Sequence, residues 1–375
     1  MNFKAVYIIN GIICLAMIIG AFDSVRNNKW KLGEKFDAGL AAFPQLIVIM
    51  GGMMALVPLL ESFLAAHLIQ FSSFLGIDPG ILPGMILAND MGAFHLSHML
   101  SNDPAAADFG GMLTGGIIGV NLIFTVPVAV SMVSKEDYPY VIRGIVCGFA
   151  GAVPGLIIGG VCAGNTIGFV LKQMTVIIIF TALMTLFFVF FTEKAVKIFI
   201  FLGKALGWAA LAGICVLITL TLCGNTSQIG KFKLLPLQEV LFTVGMVTIA
   251  LPGAYVAAEV LARILKKPLE VLGRKSGLNT FSMLGMIISL ANSLPVFGMT
   301  REMNPLGKCV TFAFLTGGAF ALGDHLAFCT IAKAELAIPL LATKLSSAVI
   351  GAVLAWILFY KKFHLNNNIQ QKQSK

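Results

Sequence analysis

Ile81-Leu82-Pro83-Gly84-Met85-Ile86-Leu87-Ala88-Asn89-Asp90-Met91-Gly92-Ala93-Phe94-His95-Leu96-Ser97-His98 is the stretch on which the fold turns. It is apolar enough for a membrane, yet Pro83, Gly84 and Gly92 interrupt it, and Asn89 and Asp90 stand at its centre. Inside a hydrocarbon core every backbone N–H and C=O needs a partner. Irregular backbone survives there only within protein or beside a water-filled cavity. A carboxylate in such a span costs at least about 2.5–3.5 kcal/mol on insertion scales. The stretch therefore predicts two half-helices meeting at a polar break. At 1.5 Å per residue, roughly nine residues on either side give about 13 Å each, which reaches mid-bilayer. Asp90 either meets a solute or coupling ion there or caps the second half-helix.

The rest of the chain has the same character. Its 375 residues are 58% hydrophobic and 11% charged, and mean hydropathy is +0.92. A soluble domain carries about 25% charged residues, so a water-facing surface cannot be covered. Runs of the length that crosses a bilayer, about 20 residues, lie near 5–22, 40–60, 110–133, 141–161, 174–191, 205–223, 241–261, 309–331 and 337–360. A second interrupted stretch lies at 279–299. The expected fold is an all-α polytopic membrane protein in the lipid bilayer. It has eleven apolar elements, about nine spanning and two interrupted or re-entrant. The first run lacks a small-residue cleavage site and is read as a retained helix. The seven cysteines form no CxxC pair and read as packing residues.

The two interrupted stretches belong to a repeat. Leu87-Ala88-Asn89-Asp90 resembles Leu290-Ala291-Asn292-Ser293, and Leu113-Thr114-Gly115-Gly116 recurs as Leu315-Thr316-Gly317-Gly318. Pro104 and Pro305, and Glu61 and Glu259, follow in the same order, all offset by 198 to 203 residues. Residues 1–375 thus form one membrane domain of two five-element repeats, 5–165 and 205–362. A linker helix at 174–191 joins them, and a polar tail, 363–375, follows.

Charge orders the elements. If 80–100 and 279–299 dip in and return on one side, 20 Lys and Arg fall on one face and 5 on the other, with Lys344 left unassigned inside a helix. Cytoplasmic loops carry the excess, so the C-terminus is expected inside and the N-terminus outside. The same count makes the repeats inverted, a recurring plan of transporters whose broken elements meet at the midplane. The net charge of +9 then belongs to loops, and nucleic acid is not an expected partner.

Several residues are candidates for chemistry. Asn89, Asp90, Asn292 and Ser293 stand at the breaks, without an acid in the second repeat to match Asp90. Asp324 and His325 are adjacent inside the apolar run 309–331. Such a pair either faces a cavity or is satisfied internally. Asn121 and Asn165 are candidate helix–helix hydrogen bonds. His95 and His98 share no HExxH or HxxEH pattern, and no G-x-S-x-G elbow or P-loop is present. No metal, cofactor or enzymatic nucleophile is expected. The readings left are a transporter or, less simply, an intramembrane enzyme using Asp90, Asp324 and His325.

The segments 86–92, Asn292-Ser293-Leu294-Pro295-Val296-Phe297-Gly298-Met299 and Phe320-Ala321-Leu322-Gly323-Asp324-His325-Leu326 resemble the ethanolamine-utilisation permease family, EutH, and the likeness runs from the first apolar run to about residue 360. It implies import of ethanolamine across the bacterial cytoplasmic membrane. For that substrate Asp90 and Asp324 would offset the ammonium, and Asn89, Asn292 or Ser293 would bind the hydroxyl. Phe94 or Phe297 would add a cation–π face. Another small amine or polar solute is the alternative cargo, and a homo-oligomer is compatible with the chain.

Overall fold

The computed structural model describes residues 3–224 and 226–373. The side chains of 3–6, 229 and 362–373 fall outside that description, as do residues 1, 2, 225, 374 and 375. The side chains of the predicted polar tail, and of Lys4, Lys362, Lys372 and Lys375, therefore lie outside the described ones.

Apolar runs closed by Pro, Gly and polar caps become fifteen helical elements. They are α1 (Phe3–Val25), α2 (Gly33–Ala55), α3 (Val57–Leu75), α4 (Ile81–Ile86), α5 (Phe94–Leu100), α6 (Pro104–Met132), α7 (Tyr138–Cys162), α8 (Ile167–Phe190), α9 (Thr192–Gly224), α10 (Leu237–Ser276), α11 (Thr280–Ala291), α12 (Leu294–Gly298), α13 (Pro305–Gly318), α14 (Asp324–Lys333) and α15 (Ala337–Gln373). Among the described residues the only strands are Gln228–Ile229 and Phe232–Lys233, a short hairpin between α9 and α10. The caps are visible in the sequence. Pro104 and Pro305 sit at the first turns of α6 and α13, where Asp103 and Asn304 accept hydrogen bonds from Ala105 and Gly307.

Nine helical segments among the described residues are long and apolar enough to cross a membrane, and the chain is an all-α multi-pass membrane protein. Two details differ from the sequence reading. The run expected over 40–60 bends at Leu56 and continues as α3. Ala55 accepts a hydrogen bond from Leu235 at 3.0 Å, Phe63 stacks on Phe232 at 5.5 Å, and the Asp78 N–H reaches Gln173 at 3.1 Å. Those partners lie in the α9–α10 connection and at the start of α8. With α8 and α9 each crossing once, both connections are on one face. So α3 starts and ends on that face and runs along it. In turn, the run expected over 309–331 is one crossing in two pieces, α13 and α14, separated at Ala319–Gly323. Both pieces run antiparallel to α15, with Gly317 against Ser347 and His325 beside Lys344. Nine crossings follow from these contacts: α1, α2, α6, α7, α8, α9, α10, the α13–α14 pair and α15. The helix α3, one of the nine segments counted by length, drops out, and α14, counted there with α15, joins α13.

The half-helices are shorter than the nine residues expected. α4 has 6 residues and α5 has 7, so each rises only about 9–10 Å at 1.5 Å per residue. The second interrupted stretch is lopsided, with 12 residues in α11 and 5 in α12. The extended Asn292 ends the long arm, and Pro295 sits in the first turn of the short one.

Two groups of helices flank the breaks. In one, α7, α13 and α15 pack on each other through small residues. Gly148, Gly151, Gly155 and Gly159 of α7 meet Thr316, Gly351, Ser347 and Thr343, the close approach typical of membrane helices. In the other, α1, α2 and α10 pack together, with α9 against α2. Each break is pressed against a glycine of a neighbouring element. A Cβ on Gly119 would overlap the Leu87 carbonyl oxygen, and one on Gly323 would overlap that of Ala291. No side chain larger than hydrogen lets the broken backbone come so near. Polar staples complete the frame. The Asn121 side chain donates to the carbonyls of Ile117 and Thr316, both at 2.6 Å. Buried Lys308 pairs with buried Asp137. Asn165, by contrast, just past the end of α7, donates to the Gly160 carbonyl of that helix at 3.1 Å, and among the described residues its side chain bonds no second helix.

Gly119→Ala and Gly323→Ala should each push a break off its neighbour and lower the melting temperature in detergent. Asp137→Asn should destabilise by about 3–5 kcal/mol, because it leaves the Lys308 ammonium buried without its partner. Thermal unfolding of the purified variants, beside a control at exposed Gly168, measures all three.

Candidate functional site

The breaks converge on one cavity. Leu87 and Ala88 are extended, Asn89–Ala93 forms a single wide π turn, and Gly92 at φ 105° reverses the chain. Asn292 is extended at φ −153°, ψ 131°, and its side-chain oxygen accepts the Leu294 N–H at 2.9 Å. The third break has no counterpart in the sequence reading. Phe320 sits at φ 62°, and the N–H groups of Phe320 and Leu322 donate to the carbonyls of Ser289 and Leu290 at 2.9 and 2.7 Å. Backbone freed from helix at the third break is thus partly satisfied by α11, as a dry interior requires.

The cavity has a volume of about 320 Å³ and is lined by Gln45, Met91, Phe124, Leu294 and Phe320 together with Asp90, Tyr255, Asn292, Asp324 and His325. That volume lies at the low end for small-molecule sites. The lining extends along α2 through Ala42 and Ala41 to Ala38. The cavity therefore reaches toward the face that carries residues 26–32 and the Glu259 cluster. There Glu259 pairs with Arg263 at 2.8 Å and Lys35 at 3.8 Å, and Arg263 also bonds the Trp30 carbonyl at 2.7 Å. At the opposite face Asp108 binds Lys333 at 2.6 Å and His98 at 3.1 Å, which ties α14 and α5 to α6.

Charge in the wall is organised around His325. The fully buried Lys344 ammonium donates to the Gly116 carbonyl at 2.5 Å and lies 3.2 Å from His325 Nδ1. On the other ring edge, His325 Nε2 stands 3.9 Å from Asp90 Oδ1. That is too far for a hydrogen bond, and Asp90 Oδ1 is buried without a hydrogen-bond partner. Asp324 receives the Tyr255 hydroxyl at 3.4 Å. The Phe320 ring stacks on His325 with centroids 5.4 Å apart and meets Phe124 edge-on at 5.6 Å.

Of the residues singled out from sequence, Asp90, Asn292, Asp324 and His325 share this cavity. Asn89 and Ser293 stand behind the lining, fully buried. The Asn89 amide touches Met112 sulfur at 3.4 Å, while Asn89 Oδ1 and Ser293 Oγ are unpartnered. The aromatic expectation needs correction. Phe94 packs on His98 and Phe328, and Phe297 stacks on Phe312; neither is among the lining residues. Phe94 follows Asp90 by four residues and would share its face in a continuous helix, but the non-helical Met91 and Gly92 turn it away. Phe124 and Phe320 supply the aromatic wall instead. Lys344, Tyr255 and Gln45 were also missed. A lone lysine inside the apolar run 337–360 was a usable signal for Lys344. Tyr255 and Gln45 carry no pattern that separates them from packing residues.

Against known proteins, residues 6–358 match the model of the ethanolamine utilisation protein family EutH. The chain belongs to the EutH family. It is 33% identical over 338 residues to the probable ethanolamine permease EutH of Listeria monocytogenes, covering 90% of each chain. It is 30% identical over 358 residues to the probable ethanolamine permease EutH of Escherichia coli, covering 88% of this chain and 86% of that one. Protein YxeR of Bacillus subtilis is 32% identical over 344 residues, 92% of both chains. No solved structure matches. The EutH match takes in all three breaks and every charged group of the cavity wall.

In a variant whose seven cysteines are replaced, a single cysteine at Gln45 should react with a membrane-impermeant maleimide from the face of residues 26–32. One at Thr114, fully buried in α6, should not react from either face. Labelling of sealed vesicles of both orientations reads this; reaction at 45 only from the other face would contradict the cavity's direction.

Proposed function

We propose that this EutH protein is a permease that carries ethanolamine, as the protonated amine, across the bacterial cytoplasmic membrane. The observation that carries the reading is the Asp90 carboxylate, buried in the cavity wall with one oxygen unpartnered. A buried acceptor left empty is costly, and a buried charge more so. A small ammonium between Asp90 and Asp324 supplies both the missing hydrogen bond and the missing charge. Ethanolamine adds a single hydroxyl, for which Asn292 and Tyr255 stand in the same wall. Phe124 and Phe320 offer aromatic faces to the cation. The names of the Listeria and Escherichia relatives agree with this cargo. Another small primary ammonium with a hydrogen-bonding tail would satisfy the same groups.

The directional part of the reading rests on charge. With the Lys- and Arg-rich face cytoplasmic, the C-terminus lies inside, the N-terminus outside, and the cavity reaches toward the cytoplasm. The two units 5–165 and 205–362 then relate as inverted repeats about the linker helix 174–191. Each contributes an interrupted stretch to one site, with the Asp108–Lys333–His98 cluster closing the outer end.

Labelled ethanolamine uptake into vesicles containing the purified protein tests the function. Asp90→Asn and Asp324→Asn should each cut uptake by roughly 10- to 100-fold, the worth of one hydrogen bond to a charged group, at unchanged protein content. Wild-type rates in both variants would remove the acids from the site.

A further inference from the structure

A second cavity, of about 410 Å³, lies between α1 and α10 and differs in chemistry from the first. Every residue that lines it is Ala, Val, Leu or Ile. Ile12 and Leu15 on the α1 wall and Val260 and Ile264 on the α10 wall are exposed, so the slot opens sideways, toward lipid. Its floor is Leu322, Leu326 and Leu341. Leu322 belongs to the third break, where its N–H donates to the Leu290 carbonyl, and Leu326 follows Asp324 and His325 on α14. The slot is therefore the back of the wall whose front is the central cavity.

Length and charge say what fills it. Along α1 the slot runs from Ile9 to Ile19, ten residues or about 15 Å at 1.5 Å per residue. That is half of the roughly 30 Å hydrocarbon core, the depth of one leaflet. A helix from a second copy would cross all of it. The slot ends toward the face of residues 26–32, and its walls lead there to cations. Beyond α1, Arg26 lies seven residues past Ile19, and its guanidinium sits over the Phe22 and Trp30 rings at 5.2 and 5.4 Å. On α10, Lys267 lies three residues past Ile264, on the same helix face. Arg263 joins the two rims by donating to the Trp30 carbonyl at 2.7 Å. Three acids nearby are engaged elsewhere. Asp23 accepts the N–H groups of Trp30, Leu32 and Gly33, Asp37 accepts from Ser24, and Glu259 pairs with Arg263 and Lys35. Among the described residues neither Arg26 nor Lys267 forms an ion pair.

We infer that this slot holds one acyl chain of an anionic phospholipid from the leaflet on the face of residues 26–32, with the phosphate between Arg26 and Lys267. The tail packs on hydrocarbon on three sides. The headgroup meets two unpaired cations beside Trp30, an aromatic suited to the interface. Because the tail lies on Leu322 and Leu326, the lipid braces the third break from outside the bundle and stabilises this form of the cavity wall.

The full chain, purified in detergent and stripped of lipid, tests this by native mass spectrometry and thermal unfolding with added long-chain phosphatidylglycerol. One lipid should be retained per chain, and the melting temperature should rise. Long-chain phosphatidylcholine should bind more weakly, and neither short-chain phosphatidylglycerol nor inorganic phosphate should raise the melting temperature. Arg26→Gln with Lys267→Gln should weaken retention by roughly 30-fold, the worth of two basic residues at a lipid surface. Val260→Trp should fill the slot and abolish retention, whereas Leu183→Trp, at an exposed position of α8, should keep it. A lipid with a photoreactive group at mid-chain should cross-link to α1, α10 or residues 322–326. Equal binding of the two long-chain lipids, unchanged retention in the Gln pair, stabilisation by phosphate alone, cross-links confined to other helices, or a second chain in place of the lipid would each overturn the proposal. Arg26 and Lys267 are exposed, so the Gln pair decides the matter even if Val260→Trp fails to fold.

Discussion

Charge that is buried and cannot be left unbalanced is the constraint on which the rest of this molecule depends. Asp90, Asp324 and Lys344 are placed where water is scarce, and each needs partners the chain must supply. Lys344 has them in the Gly116 carbonyl and His325. Asp324 has Tyr255. Asp90 faces His325 at a distance that leaves an oxygen unmet. With Asn89 Oδ1 and Ser293 Oγ also unmet behind the lining, two carboxylates beside open polar groups suit a small donor that carries positive charge.

The frame explains how such a site can exist in a membrane. Backbone leaves helical geometry at three places, and in each the freed segment lies against another element rather than lipid. Leu87 rests on Gly119, Ala291 on Gly323, and Phe320 and Leu322 bond to the end of α11. The tetrapeptide that occurs twice has a physical use in both copies. In the first, the Gly116 carbonyl takes the Lys344 ammonium. In the second, the Thr316 carbonyl takes the Asn121 amide and Gly317 admits α15. Small residues and exposed carbonyls are needed where crossing helices touch the site.

Much of this was legible in the residues. Hydropathy yields the nine crossings because lipid demands uniform apolar length, and the interrupted stretch announces itself by Asn89, Asp90 and Gly92. The acids and His325 stand out because charge is rare in such runs. Other features depend on packing that no local pattern encodes. The break at Ala319–Gly323 was hidden because Phe320, Ala321 and Leu322 are as apolar as any helix. The helix α3 merged with its predecessor because only a bend at Leu56 separates them. Phe94 was misplaced by helical spacing that Gly92 cancels, and Tyr255 meets its partners Asp324, 69 residues away in the chain, and Asn292 only through the fold.

An experimental structure of the full chain in lipid with ethanolamine bound examines the central claim most directly. Density for the ligand should lie between the carboxylates of Asp90 and Asp324, with its nitrogen within hydrogen-bond distance of Asp90 Oδ1 and its hydroxyl toward Asn292. Ligand density elsewhere, or an Asp90 side chain turned to headgroups with no cavity between the breaks, would contradict the account.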